Sequence, residues 1–291
     1  MRTVFLNGEF MPADRARISP LDRGFIFGDG VYEVIPVYGG RLFRLAEHLE
    51  RLKHSLAGVR MTPPCADERL AAILTELVAR HDEPDQSVYL QITRGVAPRD
   101  HAFPRDTAPT VFAMSNPLLP VSAEIHERGV AAVTLDDIRW EYCHLKTTSL
   151  LPNVLLRQQA IDAGAAEAIL VRRGEVSEGA ASNLFIVLDG ILITPPKGPR
   201  LLPGITRDLI LEIAQHHAIR YREAAVTPSD LRRAQEVWLT SSTREILPVT
   251  RLDGQAVGGG RPGALWTRMI RLYQDYKRAF KGGNERFRES G

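Results

Sequence analysis

The chain has 291 residues, 44% of them hydrophobic and 25% charged, the make-up of an ordinary globular protein with one large or two moderate domains. Its formal net charge of +2 argues against a nucleic-acid footprint, and no apolar run approaches the ~20 residues that span a membrane. Two cysteines, Cys65 and Cys143, exclude a disulfide framework and a four-cysteine zinc site, and with no signal-peptide core at the N-terminus a cytoplasmic location is expected.

Hairpin punctuation dominates the first hundred residues. Asn7-Gly8 separates TVFL from EFM, and Gly39-Gly40 separates VYEVIPVY from RLFRL; such dipeptides favour two-residue hairpin turns because both positions tolerate positive φ. Apolar residues at three- and four-residue intervals predict helices over 47–58 and 67–81. Strands are expected at 87–94 and 109–114, completing a small α+β domain over 1–114. The segment 115–122, SNPLLPVS, has two prolines and no periodicity, so it reads as a linker.

A larger domain over 123–280 follows, with strands and helices alternating. A strand is expected near 131 and a helix over 152–163, then hairpins turning at Arg173-Gly174 and Asp189-Gly190. A helix over 206–217, a strand near 236 and a last helix over 263–280 complete it. The final residues 281–291 are polar and are expected to form a flexible tail. No internal repeat has the spacing of a solenoid or propeller.

Single motifs are weak in isolation. GGGRPG at 258–263 matches the spacing of a dinucleotide loop, but it lies near the C-terminus with no strand following it. It reads as a surface loop. There is no Walker-type loop and no histidine pair with metal-ligand spacing, so no metal is expected; His216-His217 reads as a helix face.

Only five of the 37 basic residues are lysines: Lys53, Lys146, Lys197, Lys277 and Lys281. Lys146 precedes Thr147, Thr148, Ser149 and then an apolar helix. The hydroxyls can cap that helix, but a cation entering a helix N-terminus is not explained by capping. Held in a desolvated, cationic setting, a lysine becomes a nucleophilic amine; on local context alone, Lys146 reads rather as an ordinary, partly exposed lysine. LLPGITR at 201–207 opens a helix whose N-terminus, with Thr206, suits a phosphate, or Thr206 is simply a cap. Thr240 to Thr243 are four successive hydroxyls after a strand, a second phosphate contact or a routine turn. Glu178 lies before the small residues Gly179, Ala180 and Ala181, which suits a flat group packed close by, or a surface loop.

In combination these segments are specific. FIFGDGVYEVIPVYGGRLFRLAEHLERL at 25–52, HLKTTSLLPNVLLRQQA at 144–160, EVSEGAASNLFIV at 175–187, LLPGITR and LTSSTREILPV at 239–249 resemble, in order and spacing, the class IV pyridoxal-phosphate transaminases. Within them the D-amino acid aminotransferase branch is the most similar. The resemblance covers nearly the whole chain and implies the two-domain α+β / α/β fold type IV architecture, with pyridoxal 5'-phosphate at the domain interface.

Residue by residue, it implies that Lys146 is the Schiff-base lysine and Glu178 the partner of the pyridine nitrogen. It makes Arg51 the phosphate-binding arginine, with Ile205, Thr206 and Ser242 completing the phosphate cup and Ser182 and Ser241 near the ring. RGVAPRDHAFP at 94–104 resembles the Arg-x-His segment of the D-specific branch. Arg99 and His101 would then bind the substrate α-carboxylate in the neighbouring subunit's site together with Tyr32, with Val34 shaping the wall, in a homodimer acting on amino acids and 2-oxo acids. An arginine fork suits a carboxylate in a way that lysine does not.

Branched-chain L-amino acid aminotransferases, (R)-selective amine transaminases and aminodeoxychorismate lyase are the alternatives of the same fold. The amine transaminases need no carboxylate trap, and TTSLLPNVL and PRDHAFP follow the D-specific pattern more closely than the branched-chain one. Pro152 departs from the small residue expected there, which a helix's first turn tolerates. An inactive cofactor-binding relative is the reading from another class, against which Lys146, Glu178 and Arg51 are all intact. No nicotinamide fingerprint supports an oxidoreductase.

Overall fold

The computed structural model describes residues 2–283, and the chain divides into two compact units: residues up to Leu119 with Leu145–Leu150, and Pro120–His144 with Leu151 onward. The first unit comprises β1 (Thr3–Leu6), β2 (Glu9–Pro12), α1 (Arg23–Phe27), β3 (Gly30–Tyr38), β4 (Arg41–Leu42), α2 (Leu45–Gly58), α3 (Asp67–Ala79), β5 (Gln86–Thr93) and β6 (Thr110–Pro117). Its strands form an antiparallel sheet in the order β2-β1-β6-β5-β3-β4. Both hairpins turn at the expected dipeptides, with Asn7, Gly8, Gly39 and Gly40 all at positive φ.

Strand periodicity then sorts the side chains of β3. Val31, Ile35 and Val37 face a core shared with Val88, Leu90 and Ile92 of β5, Leu49, Leu52 and Leu56 of α2, and Leu70, Leu74 and Leu77 of α3. Each such residue contributes roughly 1.5–3 kcal/mol by leaving water. Tyr32 and Val34 take the opposite face, where their cross-strand partners are Gln91 and Tyr89.

The linker expected at 115–122 is not one throughout. Ser115, Asn116 and Pro117 continue β6, paired with Val88, Ser87 and Gln86, and buried Ser115 donates its hydroxyl to Gln86 Oε1 at 2.6 Å. Pro117 is tolerated because it is the last residue of the strand. The other departure is Leu145–Leu150, which leaves the large domain to pack with the first unit.

The second unit holds α4 (Ala123–Arg128), β7 (Val130–Asp136), α5 (Leu151–Asp162), β8 (Glu167–Arg172), β9 (Glu175–Gly179), β10 (Asn183–Leu188), β11 (Ile191–Thr194) and α6 (Ile205–His216). It continues with β12 (Tyr221–Glu223), α7 (Pro228–Arg233), β13 (Glu236–Ser241), β14 (Glu245–Leu252), β15 (Gln255–Ala256) and α8 (Ala264–Lys281). A mixed sheet runs β12-β11-β10-β13-β14-β7-β8-β9, with β15 paired to β14. Buried on every residue, β10 (NLFIVL) is a central strand.

Strand β14 carries Pro248, which disguises it in the sequence. Its pairing with β7 begins only at Val249, so at Pro248 the strand has a single neighbour and one side that requires no N–H. The expected tail begins a residue late, since Lys281 still belongs to α8, and 284–291 lie outside the described residues. GGGRPG forms turns before α8, whose first N–H groups, from Leu265 and Trp266, are taken at 2.9 and 2.8 Å by the Glu236 carboxylate. That side chain occupies the anion position a phosphate loop would leave open. Among the described residues no helix is long and apolar enough to cross a membrane.

Candidate active site

Lys146 is fixed through its backbone. Its N–H donates to the buried Ser55 hydroxyl on α2 at 3.0 Å, and its carbonyl accepts from Tyr32 N–H at 3.0 Å. Thr147 bridges Val31 in antiparallel fashion, so residues 146–148 run beside the start of β3 through this one isolated bridge and the flanking backbone hydrogen bonds. Gly58 permits this approach, because a Cβ there would meet the Leu145 side chain at 2.4 Å.

The hydroxyls after Lys146 do not act as the caps the sequence suggests. Thr148 Oγ1 donates to the carbonyl of Gly28 at 2.9 Å, as does Ser149 Oγ at 3.1 Å. They tie the lysine segment to the entrance of β3. Pro152 lies in the first turn of α5, as a proline can. The Lys146 ammonium lies 4.2 Å from the centroid of the Tyr32 ring, a cation–π contact on the face that Tyr32 shares with Val34.

Behind that face lies a charged cluster in which Arg51, expected from the sequence, is joined by Glu33 and His48, which sequence reasoning missed. Glu33 is fully buried, and Arg51 grips both its oxygens, Nε to Oε1 at 2.8 Å and Nη2 to Oε2 at 2.7 Å. Buried His48 holds Nδ1 2.8 Å from Oε2. Burial alone would raise the Glu33 carboxyl, but Arg51 and His48 overcome it and hold it well below the carboxylate range. Burial lowers His48, so it is neutral near pH 7; an ionised carboxylate only accepts, which puts the imidazole proton on Nδ1. The signal was a glutamate at core parity in VYEVIPV, with His48 and Arg51 three residues apart on the facing helix.

The second unit has its own buried carboxylate. Glu178 on β9 accepts from Arg139 Nη1 at 2.6 Å, Asn183 Nδ2 at 3.0 Å and Leu202 N–H at 3.1 Å. Burial pushes it up to about 7, against the opposing pull of Arg139 and the Leu202 N–H. Arg139 spends most of its fork elsewhere, on Asp137 at 2.9 and 3.0 Å. With three donors on roughly four lone-pair directions, Glu178 keeps one acceptor position.

Asn183 also donates to the Leu202 carbonyl at 2.8 Å, joining the carboxylate to the turn that opens α6. Gly204, the N-cap of α6, must lack a Cβ, which would fall 1.9 Å from Asn183 Oδ1. No side chain caps this helix, so Ile205 and Thr206 present its first N–H groups, where an anion is favoured. Thr240, cross-strand partner of Asn183, has a buried hydroxyl with no partner among the described residues.

After it, Ser241 accepts from Arg244 N–H at 3.3 Å, and Ser242 begins the β13–β14 turn, half-buried. Ser182 turns away from Glu178, its hydroxyl 3.4 Å from Glu167, which also pairs with Arg244. An acceptor position on a buried carboxylate, an uncapped helix start and an unpartnered hydroxyl are what a protonated ring nitrogen and a phosphate require. The residues present fit pyridoxal phosphate.

Arg99 and His101 are exposed on a loop of the first unit, both against Phe27. The Arg99 guanidinium is 5.5 Å from that ring and the His101 centroid 5.3 Å from it.

The class IV amino-transferase family model matches residues 30–252. A D-alanine aminotransferase of Bacillus licheniformis is 42% identical over 262 residues, covering 90% of this chain and 92% of the relative. Among solved structures, the branched-chain amino acid aminotransferase of Escherichia coli superposes with TM-score 0.91 at 28% identity, over 100% of this chain and 97% of that one. A second branched-chain amino acid aminotransferase, from T.th. and solved with pyridoxamine 5'-phosphate, gives 0.90 at 27% identity, over 98% and 95%. With the family match spanning the strand beside Lys146, the Glu178 carboxylate and the opening of α6, the chain belongs to the class IV aminotransferases.

Proposed function

We propose that this chain is a pyridoxal-phosphate-dependent transaminase that moves an amino group between a D-amino acid such as D-alanine and a 2-oxo acid such as 2-oxoglutarate. The observation that carries this reading is Lys146, pinned at both its N–H and its carbonyl, its amine over Tyr32. A lysine serving as anchor and acid/base needs that fixed base and a mobile tip.

When bound, pyridoxal phosphate supplies an electron sink for charge developing at the substrate α-carbon. Lys146 would hold the cofactor covalently and, when freed, would move the proton at the substrate α-carbon. Glu178 would keep a proton on the ring nitrogen. The phosphate would be held by Arg51, by the first N–H groups of α6 at Ile205 and Thr206, and by Ser241 and Ser242, with Ser182 supporting this set through Glu167. Tyr32 and Val34 line the substrate side.

Arg99 and His101 face solvent in the single chain, which supports a homodimer in which they bind the substrate carboxylate in the partner's site. We further propose a cytoplasmic location. The similarity to branched-chain enzymes favours a second reading, an L-amino acid transaminase of the same fold, but the 42% identity to a D-alanine enzyme supports the D-specific one.

A half-reaction panel tests the choice. The holoenzyme is mixed separately with D-alanine, D-glutamate, L-leucine and (R)-phenylethylamine while the cofactor spectrum is followed. Rapid conversion by the D-amino acids is expected; conversion by L-leucine alone would transfer the assignment to the branched-chain activity.

A further inference from the structure

The loop bearing Arg99 and His101 is exposed, yet it is held from beneath by buried charges. Arg23 on α1 has a side chain only 4% exposed. Its Nη1 donates to the carbonyls of Asp100 at 2.6 Å and Ala102 at 3.3 Å, the residues on either side of His101. Its Nε donates to Asp29 at 2.8 Å, and its guanidinium lies 4.9 Å from the Phe27 ring. That ring is the one against which both Arg99 and His101 rest.

The anchoring extends one residue further. Arg94 grips Asp29 at 2.8 and 3.0 Å and also donates to the carbonyls of Val59 and Arg60. Its guanidinium lies 3.9 Å from the Phe103 ring, with Arg60 5.3 Å from it. Burial would raise Asp29, but the two guanidiniums outweigh it and keep the carboxylate ionised below its ordinary value. The loop is therefore fixed at 100, 102 and 103, while the side chains at 99 and 101 stay on the outer surface.

We propose that Arg23 and Phe27 form a positioning platform for the substrate-carboxylate loop: Arg23 sets the loop backbone around His101, and Phe27 sets the angle of the Arg99 and His101 side chains. This rests on the reading that Arg99 and His101 bind the substrate carboxylate. Neither Arg23 nor Phe27 touches substrate. Arg23 must be arginine, because only a planar fork can reach a carboxylate and two carbonyls while lying against a ring. The platform then governs the affinity for carboxylate-bearing substrates and leaves the cofactor chemistry alone.

Three variants of the holoenzyme test this. Arg23→Lys keeps a charge for Asp29 but loses the fork, and Phe27→Leu leaves the ion cluster whole while removing the ring. Arg99→Ala reports on the underlying reading. KM and kcat for D-alanine, the half-reaction rate with (R)-phenylethylamine, and amide exchange over residues 97–107 are measured for each.

Arg23→Lys is expected to raise KM for D-alanine roughly 10- to 100-fold, the scale of an ångström-sized misplacement. Its kcat and its amine half-reaction should stay within about threefold of wild type, and the loop amides should exchange faster while β3 and β5 remain protected. Phe27→Leu is expected to raise KM by a smaller factor without freeing the loop backbone, and it still tests the platform if Arg23→Lys fails to fold. An unchanged KM in Phe27→Leu, or an unchanged KM and loop exchange in Arg23→Lys, beside a raised KM in Arg99→Ala, would overturn the platform and spare the carboxylate reading. If Arg99→Ala itself leaves KM for D-alanine unchanged, the carboxylate reading falls and the substrate role of the platform falls with it; loop exchange in Arg23→Lys then reports only the mechanical anchoring.

Discussion

Glu33 of the first unit and Glu178 of the second are each buried beside an arginine, and these two carboxylates behave oppositely. Glu33 takes the bidentate edge of Arg51 and a His48 N–H, and is held far below its usual range. Glu178 meets Arg139 through a single nitrogen, because the rest of that fork is committed to Asp137, and burial carries it up to about 7. The count of charges is similar; the division of the fork differs. A fully engaged arginine makes a structural anion, whereas a half-engaged one leaves a carboxyl whose proton is available near neutral pH.

Three changes test this contrast, the largest first. Lys146→Ala leaves both carboxylates in place and should still fold, but turnover should fall by several orders of magnitude, since anchor and proton carrier are lost together. Steady-state transamination without added amines checks this; near-wild-type turnover would remove Lys146 from the chemistry.

Glu33→Gln should cost about 3–5 kcal/mol near pH 7, because Arg51 is left buried without its counter-charge. Urea unfolding of the apo-protein measures it. The sign follows from the lowered pKa: the folded-state advantage is present above the unfolded value of 4.5 and is lost as pH falls below it toward the folded value. The cost of Glu33→Gln should therefore shrink in acid.

Glu178→Gln should behave in the reverse way. With a folded pKa near 7 against 4.5 unfolded, the native carboxyl holds its proton through that window. Ionising it therefore costs stability progressively as pH rises from 4.5 to 7, and the whole cost is present above 7. Relative to wild type, the variant should gain on the order of 2–3 kcal/mol between pH 5 and pH 8, read by the same unfolding measurement. It should meanwhile keep cofactor and lose roughly 100-fold or more in turnover, as an amide cannot hold the ring proton. Parallel pH profiles for Glu33→Gln and Glu178→Gln would erase the distinction between the two carboxylates.

Local chemistry made much of this molecule legible in advance. The Asn7-Gly8, Gly39-Gly40, Arg173-Gly174 and Asp189-Gly190 turns are all present with both residues at positive φ, because hairpin geometry depends on residues adjacent in the chain. Helices α2, α3, α5, α6 and α8 lie within two residues of their expected bounds, since an apolar stripe at helical spacing leaves few alternatives. Strand β14 and the end of β6 escaped, as Pro117 and Pro248 look like breakers unless it is known which strand edges have neighbours.

What the sequence determined by itself was therefore the order of elements, the family resemblance and the names of the chemical groups, all carried by short-range pattern. Tertiary structure alone decided their partners. It turned Thr148 and Ser149 from caps into ties on Gly28, sent Ser182 toward Glu167, and recruited Glu33, His48, Arg139 and Asn183. Hydrogen bonds and ion pairs between residues far apart in sequence depend on distances and orientations that no local period encodes, and in a buried site each partner shifts the charge state of the next.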